Sequence, residues 1–212
     1  MSQENKMVQS KDVDTKHRIQ QAALELFANN GYAAVSIRQI ASSAQVNVAS
    51  INYYYKSKLE LFLSLIKYGY EKWDQMIQQW DNLPFRKIAL NMIDAIQNNQ
   101  DNIYQLKIFH RFLLDDLIKE KESHLFLKQT GIKGPPGFDV ILKSIRAELP
   151  NIGEKEALMI SESFFMIVIQ QTLIINKEAL FDIMPLSKYF DDTLSMYKAI
   201  MMDIIERLLT KN

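Results

Sequence analysis

The stretch from residue 31 to residue 61 constrains the fold most, because it has the pattern of two short helices joined by a tight turn. Ser36 is a residue type that caps helix amino termini, and an apolar helix face follows it at 37, 40 and 41. The turn falls at 44–47, and a second short helix is predicted from about residue 48 to 55. This arrangement is typical of a helix-turn-helix.

The second of these helices is rich in polar and aromatic residues. Its outward positions carry hydroxyl and amide groups that can bond to phosphates or to base edges in a DNA groove. Tyr53, Tyr54 and Tyr55 cannot all face inward from one helix, and Tyr55 is the one expected to be buried. Lys56 and Lys58 lie where the next helix starts. Because cations there oppose the helix dipole, they indicate an anionic partner.

These residues resemble the TetR family of bacterial one-component transcription regulators. The match has no gaps over roughly the first third of the chain. It rests on Ala22-Ala23, Leu26-Phe27, Gly31-Tyr32, Ser36-Ile37-Arg38, Ile40-Ala41, Ala44, Val46, Ile51, Tyr54-Tyr55, Ser57-Lys58 and Leu61. The resemblance implies a three-helix DNA-binding domain followed by a helical domain that binds a ligand and dimerises.

The chain departs from the family pattern at three positions. Gln45 stands where the family usually has glycine in the turn, so we expect a non-glycine residue with a positive φ there. Ala49 replaces another common glycine, and Asn52 replaces a frequent tyrosine. The base preference of relatives therefore does not carry over to this chain.

We expect the DNA contacts to come from nine residues of this region. Arg38 can bond guanine with two donors, and the outer edge of the second helix can reach other bases. The expected base contacts are Arg38, Val48, Ala49, Ser50, Asn52 and Tyr53, and the expected phosphate contacts are Ser36, Tyr54 and Lys58.

Apolar periodicity predicts an all-α chain in three parts. Residues 1–12 are expected to form a flexible tail, 13–73 the helix-turn-helix DNA-binding domain, and 74–212 the helical ligand-binding and dimerisation domain. Beyond the motif, helices are predicted at about 61–80, 85–98, 101–121, 123–129, 138–148, 153–176 and 186–210. The glycine- and proline-rich segment 131–137 is expected to be a surface loop, with a lid as the alternative.

Composition is compatible with this interpretation. The 212 residues carry no net formal charge, yet five cations face two carboxylates between residues 15 and 60. The absence of cysteine excludes disulfides and thiolate metal sites. We expect a soluble cytoplasmic protein, because neither a signal peptide nor an apolar run of spanning length is evident. No cofactor and no metal are expected; Glu120 and His124 at i, i+4 lack a third ligand.

The last two long helices suggest a homodimer. Residues 164–169 are apolar all round, and a helix of that kind needs cover on every side. We expect these helices to pair with their two-fold copies in a four-helix interface, with burial inside one domain as the alternative. The expected contact residues are Phe164, Ile167, Val168, Tyr197, Met201, Ile204 and Ile205.

The expected effector is a small, apolar molecule of unknown identity. Aromatic and methionine residues of the second domain could line its cavity, although such residues more often form ordinary core. The candidates are Tyr104, Phe109, His110, Phe112, Phe165 and Met166, with Phe126, Phe138 and Met159 as further lining residues.

Three classes of function fit a helical chain with this motif. The preferred one is a dimeric repressor that binds a palindromic operator on double-stranded DNA and is released by the effector; an activator is its variant. A helical protein-interaction adaptor is the alternative. An enzyme is not expected, because no nucleophile, phosphate loop or acid–base pair stands out.

Overall fold

The computed structural model describes residues 3–114, 125, 128–132, 134–174, 189 and 193–210. These residues form helices and no strand, which confirms the predicted all-α class. The helices are α1 (Gln3–Asn30), α2 (Ile37–Ser43), α3 (Val48–Tyr54), α4 (Lys58–Gln78), α5 (Phe85–Gln97), α6 (Gln100–Leu114), α7 (Phe138–Glu148), α8 (Glu154–Ile174) and α9 (Thr193–Thr210).

The chain divides into two compact units that are interleaved in sequence. The first unit is Met1–Gly69 with Tyr104–Gly131, and the second is Tyr70–Ile103 with Ile132–Asn212. The sequence-based division at residue 73 follows chain order and stays a prediction. Chain order could not assign 104–131 to the first unit, because that grouping depends on tertiary contacts.

The first unit has a core in which aromatic rings from separate helices meet. Phe27 of α1 and Phe62 of α4 pack edge to face with centroids 5.2 Å apart. Tyr32, from the loop after α1, packs on both rings at 5.9 and 5.2 Å. Phe112 of α6 is fully buried in the same cluster, 6.5 Å from Phe62. This core supports α2 and α3 from behind.

The first helix starts earlier than expected and ends where expected. It begins at Gln3, inside the segment 1–12 for which the sequence predicts a flexible tail. Neither glycine nor proline lies in that polar segment, so nothing in it breaks the helix. At the other end Gly31 adopts φ +82° and its amide bonds Phe27 O at 2.9 Å, as the run Asn29-Asn30-Gly31 predicts.

The second unit has its own core of helices α5, α7, α8 and α9. Phe85 and Phe164 pack edge to face at 5.0 Å, and Phe165 stacks on Phe138 at 6.1 Å. The end of the segment 131–137 is fixed to this unit, because the Gly137 amide donates to Asp74 Oδ1 at 2.8 Å. Whether the rest of that segment acts as a lid stays open.

The predicted helices agree with those observed to within a few residues where both can be compared. The helix after the motif ends at Gln78 rather than Trp80, and turns and a left-handed Asn82 (φ +71°) follow it. The predicted stretches at 115–124 and 175–188, with Glu120 and His124, lie outside the described residues, as does Phe126. Among the helices described, none is long and apolar enough to cross a membrane.

Candidate nucleic-acid interface

Helix α2 is held by a capping box at its amino terminus. The Ser36 amide donates to Gln39 Oε1 at 2.8 Å, and the Gln39 amide donates to Ser36 Oγ at 3.3 Å. The prediction that Ser36 caps this helix is therefore confirmed. Its hydroxyl also donates to Gln39 Oε1 at 2.8 Å, so a phosphate would have to compete with that bond. Sequence reasoning overlooked Gln39, although a serine followed three residues later by glutamine is a readable capping signal.

The turn between α2 and α3 contains the expected positive φ. Gln45 adopts φ +54°, a conformation in which the β-carbon of an L-residue is crowded. The Val46 amide bonds Ala41 O at 3.0 Å, and the Val46 side chain packs against the first unit's core. Asn47 then caps α3. The turn thus forms with a positive φ although it contains no glycine.

The three tyrosines at the end of α3 face three environments. Tyr53 is 78% exposed, Tyr54 is half-buried against the core, and Tyr55 is only 6% exposed. The expectation that Tyr55 alone is buried is confirmed. Burial raises the pKa of the Tyr55 hydroxyl, since the phenolate would lose water.

The remaining predicted DNA contacts are of two kinds: side chains that are exposed, and side chains that already bond another group of the protein. We define the reading face as the exposed residues Arg38, Val48, Ala49, Asn52 and Tyr53. Ser50 is half-buried and its hydroxyl donates to Asn47 Oδ1 at 3.0 Å, so this side chain already has a partner.

Lys58 does not stand free at the surface as a phosphate contact would. Its ammonium Nζ donates to Tyr32 O and to Val35 O, both at 2.9 Å. The same atom lies 4.1 Å above the centroid of the Tyr32 ring. Burial lowers the pKa of Lys58, because the charged form is partly desolvated. The sequence could not reveal this, since both acceptors are backbone carbonyls more than twenty residues upstream.

Arg18, like Lys58, donates hydrogen bonds to backbone carbonyl groups. Arg18 of α1 donates from Nη1 to Ala44 O at 3.2 Å and to Gln45 O at 3.4 Å. Its Nε lies 3.2 Å from Asp14 Oδ2, one helical turn earlier. Sequence reasoning counted Arg18 only as part of a local positive charge, because no sequence signal identifies a carbonyl partner across a fold.

The predicted effector residues are divided between the two units. Phe112 is fully buried and Tyr104 and Phe109 pack on the same core, while Phe165 is buried in the second unit. Of the remaining candidates, Met166 is 64% exposed and His110 is half-buried. The phenylalanines among these candidates pack as ordinary core residues, which was the alternative to lining a cavity.

Two further observations bear on ligands. A cavity of about 270 Å³ in the second unit is lined by Asn82, Leu83, Pro84, Lys143, Ser144, Ala147 and Glu148, none of which was predicted to bind an effector. Arg111 Nη2 donates to Asn29 O at the end of α1, at 3.5 Å. Within the described ranges, no group of three or more His, Asp or Glu residues could hold a metal ion.

The predicted dimer residues are for the most part buried within the single chain. Of these side chains, Phe164, Val168, Met201 and Ile205 are at most 3% exposed, Ile167 and Ile204 are half-buried, and Tyr197 lies outside the described side chains. The exposed side of α8 instead carries Met159 and Met166, 60% and 64% exposed and two turns apart. Residues buried in the protomer can offer little surface to a second copy.

Comparison with known proteins places the interface in a family. Residues 19–65 match the model described as bacterial regulatory proteins, tetR family. Over 124 residues the chain is 41% identical to the protein of Bacillus subtilis (strain 168) named "Probable HTH-type transcriptional regulator YttP". That match covers 55% of this chain and 60% of the relative, so the chain spans less than two thirds of that protein's length.

Solved structures show the same fold along nearly the whole chain. A transcriptional regulator from Aquifex aeolicus VF5 has a TM-score of 0.61 at 16% identity, covering 92% of this chain and 99% of that one. A tetR-family regulatory protein from Rhodococcus RHA1 has a TM-score of 0.62 at 17% identity, covering 92% and 95%. Both proteins, like the Bacillus subtilis relative, are named as regulators. The motif at residues 19–65 therefore matches the tetR family of bacterial regulatory proteins, and the chain shares the fold of these solved regulators.

Proposed function

We propose that this chain is a transcriptional repressor that binds a palindromic operator as a homodimer and is released by a small effector. The observation that carries the proposal is the reading face, which is exposed on helices whose opposite sides are buried and whose amino termini are capped. A rigid helix with an exposed polar edge is what a DNA major groove accepts. DNA is the partner, so the cytoplasm is the proposed location.

Within the reading face, Arg38 and Asn52 are the proposed base readers. A guanidinium can donate two bonds to guanine, and a carboxamide can both accept from and donate to adenine. Val48 and Ala49 are suited to apolar contact with thymine methyl groups, and Tyr53 has a ring and a hydroxyl available at the surface. Ser50 is a weaker candidate, because Asn47 already holds its hydroxyl.

Phosphate contacts are proposed for residues beside the reading face. Tyr54 and Ser36 can contribute hydroxyl groups, although Ser36 would share its hydroxyl with Gln39. Lys56 is exposed and two residues beyond α3, so it is the cation best placed to reach a phosphate there. Such contacts fix the register on DNA and make affinity depend on salt.

A homodimer gives this reading head its specificity. One recognition helix reads a few base pairs, whereas two related by a two-fold axis read an inverted repeat. The proposed contact uses α8 and α9, with Met159, Met166, Ile167 and Ile204 as the side chains that still have surface to offer. The buried Phe164, Val168, Met201 and Ile205 then support the contact from within each protomer.

Sedimentation velocity at micromolar concentration tests the dimer. Met159→Glu and Met166→Glu should shift the protein to a monomer, because a carboxylate buried at the contact would lack a partner. Tyr68→Glu is the control, since Tyr68 of α4 is 53% exposed and belongs to the first unit. A wild-type monomer would refute the dimer, and dimers of both methionine variants would refute the assigned face.

The effector is proposed to be small and apolar, and to act by shifting the population that can bind DNA. A coupling of about 1–3 kcal/mol would change operator affinity roughly 5–150-fold. An activator differs from a repressor only in the position of its operator, so footprinting the operator against the promoter separates the two. An adaptor would show no salt-dependent retention on duplex DNA, which distinguishes it from both.

A further inference from the structure

Both ends of the recognition helix α3 are tied down by a cation that bonds backbone carbonyl groups. Arg18 bonds Ala44 O and Gln45 O in the turn that precedes α3. Lys58, four residues after the end of α3, bonds Tyr32 O and Val35 O in the loop that precedes α2. Each bond joins segments 23 to 27 residues apart, so the two cations link parts of the fold that local helix geometry does not.

The surroundings of Lys58 already supply the negative partial charges with which a bound anion would stabilise its ammonium group. Two carbonyl dipoles accept from the ammonium, and the negative face of the Tyr32 ring lies 4.1 Å below it. Lys58 is also the first residue of α4, where the helix dipole disfavours a positive charge. The carbonyl groups and the ring offset this repulsion within the protein, so the position of Lys58 needs no phosphate to account for it.

The site of Arg18 follows the same logic at the other end of α3. Gln45 holds a positive φ, and its carbonyl group and that of Ala44 both accept from the guanidinium. Asp14 balances the charge from the solvent side. A guanidinium with fixed donors therefore holds the turn that sets the direction in which α3 leaves α2.

We propose that Lys58 and Arg18 are positioning residues that fix the orientation of the recognition helix, and that neither contributes a phosphate contact. This inference deepens the proposed function and rests on it. The sequence predicts that Lys58 contacts a phosphate; the inference instead predicts that Lys56, whose side chain is exposed, makes this contact.

Lysine acylation of the wild-type protein, quantified by peptide mass spectrometry, tests the proposal without a mutation. In the free protein Lys58 should react several-fold more slowly than Lys56, because its amine is half-buried and must leave two carbonyl acceptors before it can attack the reagent. This protection has to outweigh the lowered pKa of Lys58, which by itself favours the reactive neutral amine. Adding a random-sequence DNA duplex should protect Lys56 and leave Lys58 unchanged. The proposal is overturned if Lys58 reacts as fast as Lys56 in the free protein, or if DNA protects Lys58 as it protects Lys56.

Binding of the same duplex over a range of salt concentrations gives the functional test. Lys58→Met and Arg18→Met should weaken binding roughly tenfold, the factor for one charge-assisted hydrogen bond, at every salt concentration. The slope of log affinity against log salt should stay that of the wild type. Lys56→Met, the matched control, should make the slope shallower by about one for each phosphate that the variant no longer neutralises.

Two outcomes of this test contradict the proposal. A shallower slope for Lys58→Met would make Lys58 a phosphate contact. The second is an unchanged affinity for DNA: if the folded Lys58→Met and Arg18→Met variants bind as tightly as the wild type well below their unfolding temperatures, these residues only stabilise the fold. If the variants do not fold, the acylation rates in the free wild-type protein decide. Failure of the wild-type protein to bind DNA would refute the proposed function, whereas equal lysine reactivity in the free protein refutes only the present inference.

Discussion

The side chain of Asn47 accepts two hydrogen bonds from Ser50 at the start of the recognition helix. Asn47 Oδ1 lies 2.6 Å from the Ser50 amide and 3.0 Å from its hydroxyl. The first bond gives the Ser50 amide a side-chain acceptor at the start of the helix, beside the Asn47 carbonyl oxygen at 3.1 Å. The second fixes the Ser50 side chain, for which the sequence predicts a DNA contact. One cap therefore both starts α3 and occupies the hydroxyl hydrogen of a predicted DNA contact.

Replacing this cap should destabilise the first unit. Asn47→Ala is expected to lower the free energy of unfolding by about 1 kcal/mol, the typical effect of losing a capping side chain. Asn47→Asp is the control, because aspartate keeps an acceptor at the same place. Thermal unfolding checks both variants, and equal melting temperatures of Asn47→Ala and the wild type would show that the cap contributes nothing.

The positive φ at Gln45 predicts an unusual tolerance of glycine. Gln45→Gly relieves about 1 kcal/mol of left-handed strain and loses a comparable amount to the greater freedom of the unfolded chain. Stability should be equal to or slightly above that of the wild type. Asn82→Gly, also at a positive φ, should instead lower stability, because Asn82 Oδ1 accepts from Lys143 at 2.8 Å. A clearly lower melting temperature for Gln45→Gly would contradict the strain argument.

Gly137 is required for two reasons that can be separated by experiment. It adopts φ +67°, and a β-carbon there would overlap the side chain of Ile77. Gly131 adopts φ +69°, but a β-carbon at that position meets nothing within 4 Å. Gly131→Ala should therefore cost about 1 kcal/mol, from strain alone. Gly137→Ala should cost about 1–3 kcal/mol more, from overpacking. Urea unfolding measures both, and equal destabilisation of the two variants would remove the steric argument.

Alkaline pH should weaken the first unit through Tyr55. Burial raises the pKa of its hydroxyl above the ordinary value of 10.0. A raised folded-state pKa means that the stabilising contribution is fully present below pH 10.0 and is lost as pH rises through the folded-state pKa. Tyr55→Phe should reduce the fall in unfolding free energy above that pH. The fall in unfolding free energy that remains in this variant includes the contribution of Tyr70, whose pKa is also raised by burial and by Asp74 and Asp139. An unchanged fall in Tyr55→Phe would contradict this assignment.

Local features of the chain were readable from the sequence because local chemistry determines them. The cap at Ser36, the end of α1 at Gly31 and the positive φ of Gln45 each depend on a few neighbouring residues. Apolar spacing likewise gave the helices and the burial of Tyr55. The motif region is therefore predictable in detail.

Features that depend on distant contacts were not readable. The partners of Lys58 and Arg18 are backbone carbonyl groups, which every residue carries, so no sequence pattern marks them. Residues 164–169 of helix α8 are all apolar, so the sequence could not show that Phe164 faces inward and Met166 outward. For the same reason the predicted effector residues included members of the ordinary core, such as Phe112.

The most direct test of the account is selection of duplexes from a random DNA pool by the purified protein, followed by sequencing. The account predicts enrichment of an inverted repeat whose half-sites lie about one helical turn, or a multiple of it, apart. In the same selection, Arg38→Ala should relax the preference at one position of each half-site, at a cost of about 1–3 kcal/mol. Recovery of no sequence above background by the folded wild-type protein would contradict the claim that the reading face binds an operator.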